Sequence, residues 1–296
     1  MKPPIVLLQQ RDFGQKINAT FDFVIQNFKP LILSLLYIAG PFALVGGFFM
    51  GSYQSDMLGI QKKILSRDSD GDFPFFGFYD IATSMLFLSV FLGLAGLAAT
   101  LTVNAYMLEY EAGNRKITPE IIWHRIKNYI GKGIGYSIVM VLFSIVATLF
   151  FILPGIYVSV TLTLMYMVMM RENLDLVATF RRCFYLIQDK WWSTFGLLII
   201  VSIISGIIGY VFQLPSVILT VTSFLQIGDG VNEIWTTVSG VIATVGSVLV
   251  RSLVLVAIAF QYYNLVERRE GSGIMHAIDN IGKKDSPPTP PTEEEF

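Results

Sequence analysis

The sequence predicts an all-α, polytopic membrane protein with six transmembrane helices arranged as three hairpins, each preceded by a cytoplasmic amphipathic helix. Three observations carry that prediction. Of 296 residues, 53% are hydrophobic and only 15% are charged, against about 25% charged in an ordinary soluble domain. The apolar residues fall in blocks long enough to cross a hydrocarbon core of ~30 Å, which takes about twenty residues of helix. Lysine and arginine gather between alternate blocks. A formal charge of −1 offers no basic excess for nucleic acid, and a single cysteine, Cys183, excludes an internal disulfide or a cysteine-based metal cage.

The six apolar blocks are 31–51, 81–108, 133–153, 155–170, 191–213 and 236–265. Within the first, Gly40-Pro41 should kink the helix, because proline lacks an N–H and its ring clashes one turn back. The third and fourth are parted only by Leu153-Pro154-Gly155, which predicts a tight turn. The stretch 215–227, apolar and without a basic residue, reads as a short outer-surface helix or a re-entrant piece. Residues 1–284 make one membrane domain, followed by a proline-rich, acidic tail, 285–296, that reads as a disordered cytoplasmic segment.

Orientation follows from the retention of basic residues near span ends on the cytoplasmic side. Seventeen of the 21 lysines and arginines lie before the first block, in 109–132, in 171–190 or after 265, while three lie in 52–80. Both termini are therefore expected in the cytoplasm. Ile5-Val6-Leu7-Leu8 is too short for the core of a cleaved signal peptide, which leaves the first span as its own insertion signal.

Similar motifs precede the odd-numbered blocks: Ile25-Gln26-Asn27-Phe28, Ile126-Lys127-Asn128-Tyr129 and Ile187-Gln188-Asp189-Lys190-Trp191. Ala19-Thr20-Phe21 and Ala178-Thr179-Phe180 also match. In the third unit Val177, Phe180, Phe184 and Ile187 recur at helical spacing and share one face. Either a threefold internal repeat or the common look of interfacial helices entering a membrane accounts for the likeness. Such helices place a basic face, here Arg181 and Arg182, toward anionic headgroups, and Trp123, Trp191 and Trp192 suit the headgroup depth. Trp235 marks the opposite interface.

Phe151-Ile152-Leu153-Pro154-Gly155-Ile156-Tyr157, the short span after it, the stretch 172–189, Trp191-Trp192 and the ending Tyr262-Tyr263-Asn264-Leu265-Val266-Glu267-Arg268-Arg269-Glu270-Gly271 resemble the bacterial membrane domains related to the glycerophosphoryl diester phosphodiesterase membrane domain. The resemblance is carried by 150–270. It departs at Val177-Ala178 and Arg181-Arg182-Cys183, where the family often has Glu-Ala and Arg-Arg-Ser. The phosphodiesterase of that name is a separate barrel, for which this chain has no room. The resemblance implies a helical module of the bacterial cytoplasmic membrane without chemistry of its own.

Arg251 is the one ionisable residue well inside an apolar block, where a charge costs about 2.5–3.5 kcal/mol on insertion scales. Ser239, Ala243, Ser247 and Arg251 recur every four residues as a small-residue stripe, so Arg251 is expected to point into the bundle. With Ser247 it is the candidate binding site for an anionic group, against the alternative of a snorkelling or structurally satisfied arginine. Asp68, Asp70 and Asp72 mimic the start of a calcium loop, but Phe73 and Tyr79 stand where Gly and Glu are needed. His124 and His276 lack ligands at zinc spacing, and Gly131-Lys132-Gly133-Ile134-Gly135 follows no strand, which makes it a packing or joint element. Gly93, Ala95, Gly96, Ala99, Ser202, Gly206 and Gly209 predict close helix contacts. No catalytic motif and no cofactor is called for. The expected function is a non-enzymatic membrane module that organises, assembles or regulates protein complexes, with the bilayer and a membrane or cytoplasmic protein as partners. The alternative is a transporter or lipid-handling protein with a midplane site near Arg251.

Overall fold

The computed structural model describes residues 3–65, 75–150, 152–225 and 233–271, and all regular structure among them is α-helical. Asp68, Asp70, Asp72, His276 and the tail 285–296 lie outside the described residues. The helices are α1 (Phe13–Gln26), α2 (Phe28–Ile38), α3 (Gly40–Leu65), α4 (Phe75–Glu111), α5 (Pro119–Ile126), α6 (Ile130–Phe150), α7 (Ile152–Leu162), α8 (Met165–Glu172), α9 (Leu176–Ile187), α10 (Trp191–Phe224) and α11 (Glu233–Glu270). Four segments, 79–111, 153–172, 191–224 and 233–270, are long and apolar enough to cross a membrane, or up to six if two bent helix pairs each count as one.

Local chemistry explains where helices start and stop. A capping box opens α1, in which Asp12 Oδ1 accepts from the Gln15 N–H at 2.7 Å and Gln15 Oε1 accepts from the Asp12 N–H at 3.2 Å. Each of the three repeated motifs falls at a break. The chain bends by 78° between α1 and α2 at Asn27, and by 66° between α5 and α6. It turns from α9 to α10 through Gln188-Asp189-Lys190. At the first bend Asn27 Nδ2 donates to Phe23 O at 2.9 Å, while Tyr106 donates to Asn27 Oδ1 at 3.1 Å.

Prolines act as helix starters here. Gly40-Pro41 does more than kink the first block, since α2 ends at Ile38 and Pro41 occupies the first turn of α3, where its missing N–H has no intrahelical partner anyway. Pro154 likewise lies in the first turn of α7, and residue 151, between α6 and α7, lies outside the described residues. Of the expected independent piece at 215–227, residues 215–224 instead continue α10, with Pro215 inside the helix, and 226–227 lie outside the described residues. Gln54 of α3 supports the turn beyond that proline, donating to Ser216 O at 3.2 Å and to Thr220 Oγ1 at 3.1 Å.

The long helices α3, α4, α10 and α11 form a bundle. α4, α10 and α11 have 37, 34 and 38 residues, roughly 50–57 Å at about 1.5 Å per residue, more than a hydrocarbon core needs. The tightest crossing is α3 on α11. A Cβ on Gly51 would lie 2.4 Å from Thr237 Cα, one on Gly47 2.5 Å from Val241 Cα, and one on Gly240 2.6 Å from Gly51 N. The backbones therefore touch with no side chain between them. On α10, the Phe212 ring occupies the space over Gly246, where a Cβ would come within 2.2 Å of it.

Around one end of this bundle α1, α2, α5, α8 and α9 form a cap. Its core is aromatic: Phe23 is fully buried and makes edge contacts with Tyr110 at 4.9 Å, Phe260 at 5.8 Å and Tyr106 at 6.1 Å. Burying one such ring stabilises by roughly 1.5–3 kcal/mol. Thr194 of α10 accepts from Gln261 of α11 at 2.7 Å, so Trp191 and Tyr262 lie at the same end of that helix pair. Trp191 Nε1 donates to Tyr157 O at 3.1 Å and the Tyr262 hydroxyl donates to Glu172 Oε1 at 2.7 Å. Tyr157 of α7 and Glu172 of α8 therefore both meet that end of the α10–α11 pair. Met165, Met167, Val168, Met169 and Met170 are buried there.

The buried face of α9 is Thr179, Cys183, Leu186 and Ile187, whereas Val177 is exposed. The expected face of Val177, Phe180, Phe184 and Ile187 is only partly the inner one, because α9 packs on two sides: Phe180 meets Phe143 at 5.8 Å and Phe184 meets Tyr157 at 6.2 Å.

Candidate functional site

Two polar centres stand out, and they differ in how their charges are used. The first is a network in the cap. Arg171 of α8 pairs with Glu111 of α4, with Nη2 to Oε1 at 2.8 Å and Nε to both carboxylate oxygens at 3.1 and 3.2 Å. The Tyr263 hydroxyl donates to Glu111 Oε2 at 2.7 Å, and Arg171 Nη1 donates to the Tyr262 hydroxyl at 3.3 Å. Arg182 of α9 extends the chain to Glu172, at 2.8 Å, and to Glu270 of α11. Burial works against the Arg182 charge, but hydrogen bonds to Glu270 and Glu172 outweigh it and hold the guanidinium above the ordinary arginine pKa. Fork-on-carboxylate geometry joins α4, α8, α9 and α11 with mutually satisfied groups, so this centre is a lock.

Arg251 is the second centre. Its guanidinium passes over Gly96 of α4, where a Cβ would stand 3.7 Å from Nη1. Tyr166 of α8, whose hydroxyl is 2.6 Å from Ser137 Oγ of α6, lies within electrostatic range. The stripe divides by exposure: Arg251 and Ser247 are exposed, while Ser239 and Ala243 are buried, and the Arg251 guanidinium lies against α4. A four-residue spacing drifts by roughly 40° per step on a helix of 3.6 residues per turn, so the stripe that begins against α3 has left the contact face by Arg251. Among the described residues Arg251 makes no hydrogen bond or ion pair. Arg251 stands in α11, within a segment long and apolar enough to cross a membrane. An unpaired, exposed guanidinium there can hold an anion, above all a phosphate, through its fixed fork of donors.

The remaining sequence candidates divide. Trp192 is 77% exposed and Trp123 49%, as headgroup-level indoles would be, and Trp235 is exposed as well. Trp191 is instead stacked between Tyr157 and Phe195, at 5.6 and 5.0 Å. Arg181 is exposed, but Arg182 belongs to the lock and is not free to meet a headgroup. His124 lines a cleft of about 460 Å³ with Trp123, Glu120 and Tyr37. Among the described residues no group of three or more His, Cys, Asp and Glu side chains could hold a metal ion. Gly133 packs against Leu97 and Leu101, whereas Gly93, Gly131, Gly135 and Gly206 have nothing within 4 Å of where a Cβ would be. The close approach falls at Gly47, Gly51 and Gly240, which were not singled out although Gly47 and Gly51 have the four-residue spacing of a helix-contact motif. Comparison with protein-family models, curated proteins and solved structures finds no match, so function is argued from these geometries alone.

Proposed function

We propose that this chain is a non-enzymatic, lipid-handling membrane protein in which Arg251 holds the anionic headgroup of a lipid. The observation that supports this reading most is the exposed, unpaired guanidinium of Arg251 in a helix long and apolar enough to cross a membrane. A charge held in such surroundings needs a counter-charge, and a lipid phosphate supplies one together with chains that match the apolar helix. Both termini and the cap lie on the cytoplasmic side of a bacterial inner membrane, in keeping with the seventeen basic residues on that side. The long helices α4, α10 and α11 cross fully, and α2–α3 makes a broken crossing. The α6–α7 hairpin, whose Tyr157 meets the start of α10, lies near the cytoplasmic interface; in the six-span alternative its tip reaches the outer face.

Native mass spectrometry of the protein purified in mild detergent tests the site. Wild type and Arg251→Lys should retain anionic phospholipid and Arg251→Leu should retain less; equal retention by the Leu variant defeats the reading. Leu149, 81% exposed near the hairpin tip, reports the topology. A Leu149→Cys, Cys183→Ser protein should escape an impermeant maleimide added to intact cells, whereas labelling there establishes six spans. A module that organises membrane complexes is the second reading, favoured by the exposed ridge of Ile138, Leu142, Ile145 and Leu149 on α6. Co-purification of a stoichiometric protein partner without retained lipid would select it.

A further inference from the structure

Where α9 turns into α10, the end of α11 closes a pocket of about 220 Å³ lined by Gln188, Asp189, Lys190, Arg268 and Arg269 among others. Three cations therefore face one carboxylate. Arg269 is committed to the wall: Nη2 donates to Gln188 O at 2.9 Å and reaches Asp189 Oδ2 at 3.4 Å, and its guanidinium stands 5.2 Å from the centre of the Tyr185 ring. The side chains of Lys190 and Arg268 make no hydrogen bond or ion pair among the described residues. Glu267, buried on the same turn of α11, does not line the pocket.

A fourth cation stands behind. Lys16 of α1 is 2% exposed, and its Nζ donates to Gln261 Oε1 at 2.9 Å and Ser193 Oγ at 3.1 Å, both neutral acceptors. Burial disfavours its charge most, Lys190 and Arg268 repel it further, and Asp12 attracts it. Like charges gathered at a partly buried place raise each other's energy, and an anion bound among them removes that cost. Asp189 has φ of 65°, the left-handed conformation in which a helix commonly ends and which aspartate adopts more readily than most non-glycine residues. That residue turns the chain so that Gln188 and Lys190 both face the pocket. Lys190 is followed directly by Trp191 and by the exposed Trp192, and an indole at that position marks headgroup depth.

We propose that this pocket binds the phosphate of an anionic phospholipid headgroup, with Lys190 and Arg268 as its ligands and Arg269 as the positioning residue that holds the Gln188–Lys190 turn. Basic pockets between helices on the cytoplasmic side are suited to such headgroups. The site is separate from Arg251 and stands at the membrane face, between the cap and the bundle.

The test is native mass spectrometry of the full chain in detergent with phosphatidylglycerol and phosphatidylcholine offered together. Wild type should retain phosphatidylglycerol in preference. The K190Q/R268Q double variant should lose one bound phosphatidylglycerol relative to wild type and K190R/R268K should keep it, while K190Q/R268Q added to R251L should lose one more than R251L alone, which separates this site from the deeper one. Equal counts in wild type and K190Q/R268Q, or equal retention of phosphatidylcholine, would overturn the proposal. Should the double variant misfold, a photoactivatable phosphatidylglycerol on the wild-type protein decides: crosslinking to the 186–192 peptide supports the site and crosslinking only elsewhere removes it. Loss of the lipid on adding millimolar inorganic phosphate, with the pocket still protected, would overturn the lipid assignment in favour of free phosphate.

Discussion

The cap and the far part of the bundle are held together by different physics. In the cap, helices meet through directional polar groups, Glu111–Arg171–Tyr262 and Glu172–Arg182–Glu270, over an aromatic core. In the bundle, α3 and α11 meet backbone to backbone at Gly47, Gly51 and Gly240. In the proposed membrane placement, with the cap outside the bilayer, the difference follows the solvent. Lipid gives no hydrophobic drive for one helix to bury its side chains against another, so close backbone approach and dispersion do the work. Next to water, apolar burial stabilises the cap, and partly buried ion pairs choose which helix docks where.

That contrast makes graded predictions. The largest effect belongs to Gly51→Leu, because the new side chain would start 2.4 Å from Thr237 Cα. Backbone must move, and a loss of about 3 kcal/mol or more is expected, read as collapse of the monodisperse peak in detergent size exclusion. A Gly51→Leu protein with the wild-type profile would mean that α3 and α11 do not touch.

Second is Arg171→Met, which strands Glu111 and the two tyrosines. Removing one partner of a buried pair costs ~3–5 kcal/mol; because both side chains keep some exposure, 21% and 24%, about 2 kcal/mol is expected here, seen as a lower Tm. The Arg171→Met, Glu111→Gln double variant should lose less than the sum of the single losses, and strict additivity would deny the coupling.

A smaller loss, about 1 kcal/mol, is expected for Asp12→Ala, which removes the side-chain acceptor of the α1 capping box. Hydrogen exchange at Phe13–Lys16 should rise, with the bundle unaffected. Smallest of all is the response of native Cys183 to thiol reagents. It is fully buried, and burial pushes its thiol up to about 12. Between pH 7 and 9 it stays a neutral thiol and should label from neither side of the membrane until the chain is denatured. Fast labelling in the folded protein would show the cap to be open.

Much of this was legible in the sequence. The Asn27 motif and its two relatives fall at helix breaks, and Gly40-Pro41 separates α2 from α3, because capping and proline geometry act over a few residues. Arg251 was singled out on charge alone. Its direction was not legible, since the small-residue stripe tells which positions follow one another along a helix and not where the neighbouring helix ends. The lock was missed for a related reason: Glu111, Arg171, Arg182 and Glu270 look like ordinary loop-end charges until four helices bring them together. Gly47 and Gly51 could have been found from their spacing.

By itself the sequence determined the helical class, the long apolar segments, the break points and the inventory of basic residues. These depend on hydrogen bonds and side-chain periods within a single helix. Only the tertiary structure decided that Tyr157 and Glu172 meet the same end of the α10–α11 pair, that Arg251 lies over Gly96 yet exposed, and that Lys16, Lys190, Arg268 and Arg269 converge. Those outcomes depend on how whole helices cross, which is settled by distant contacts such as Gly240 on Gly51 and Arg171 on Glu111 and is not encoded in any local window.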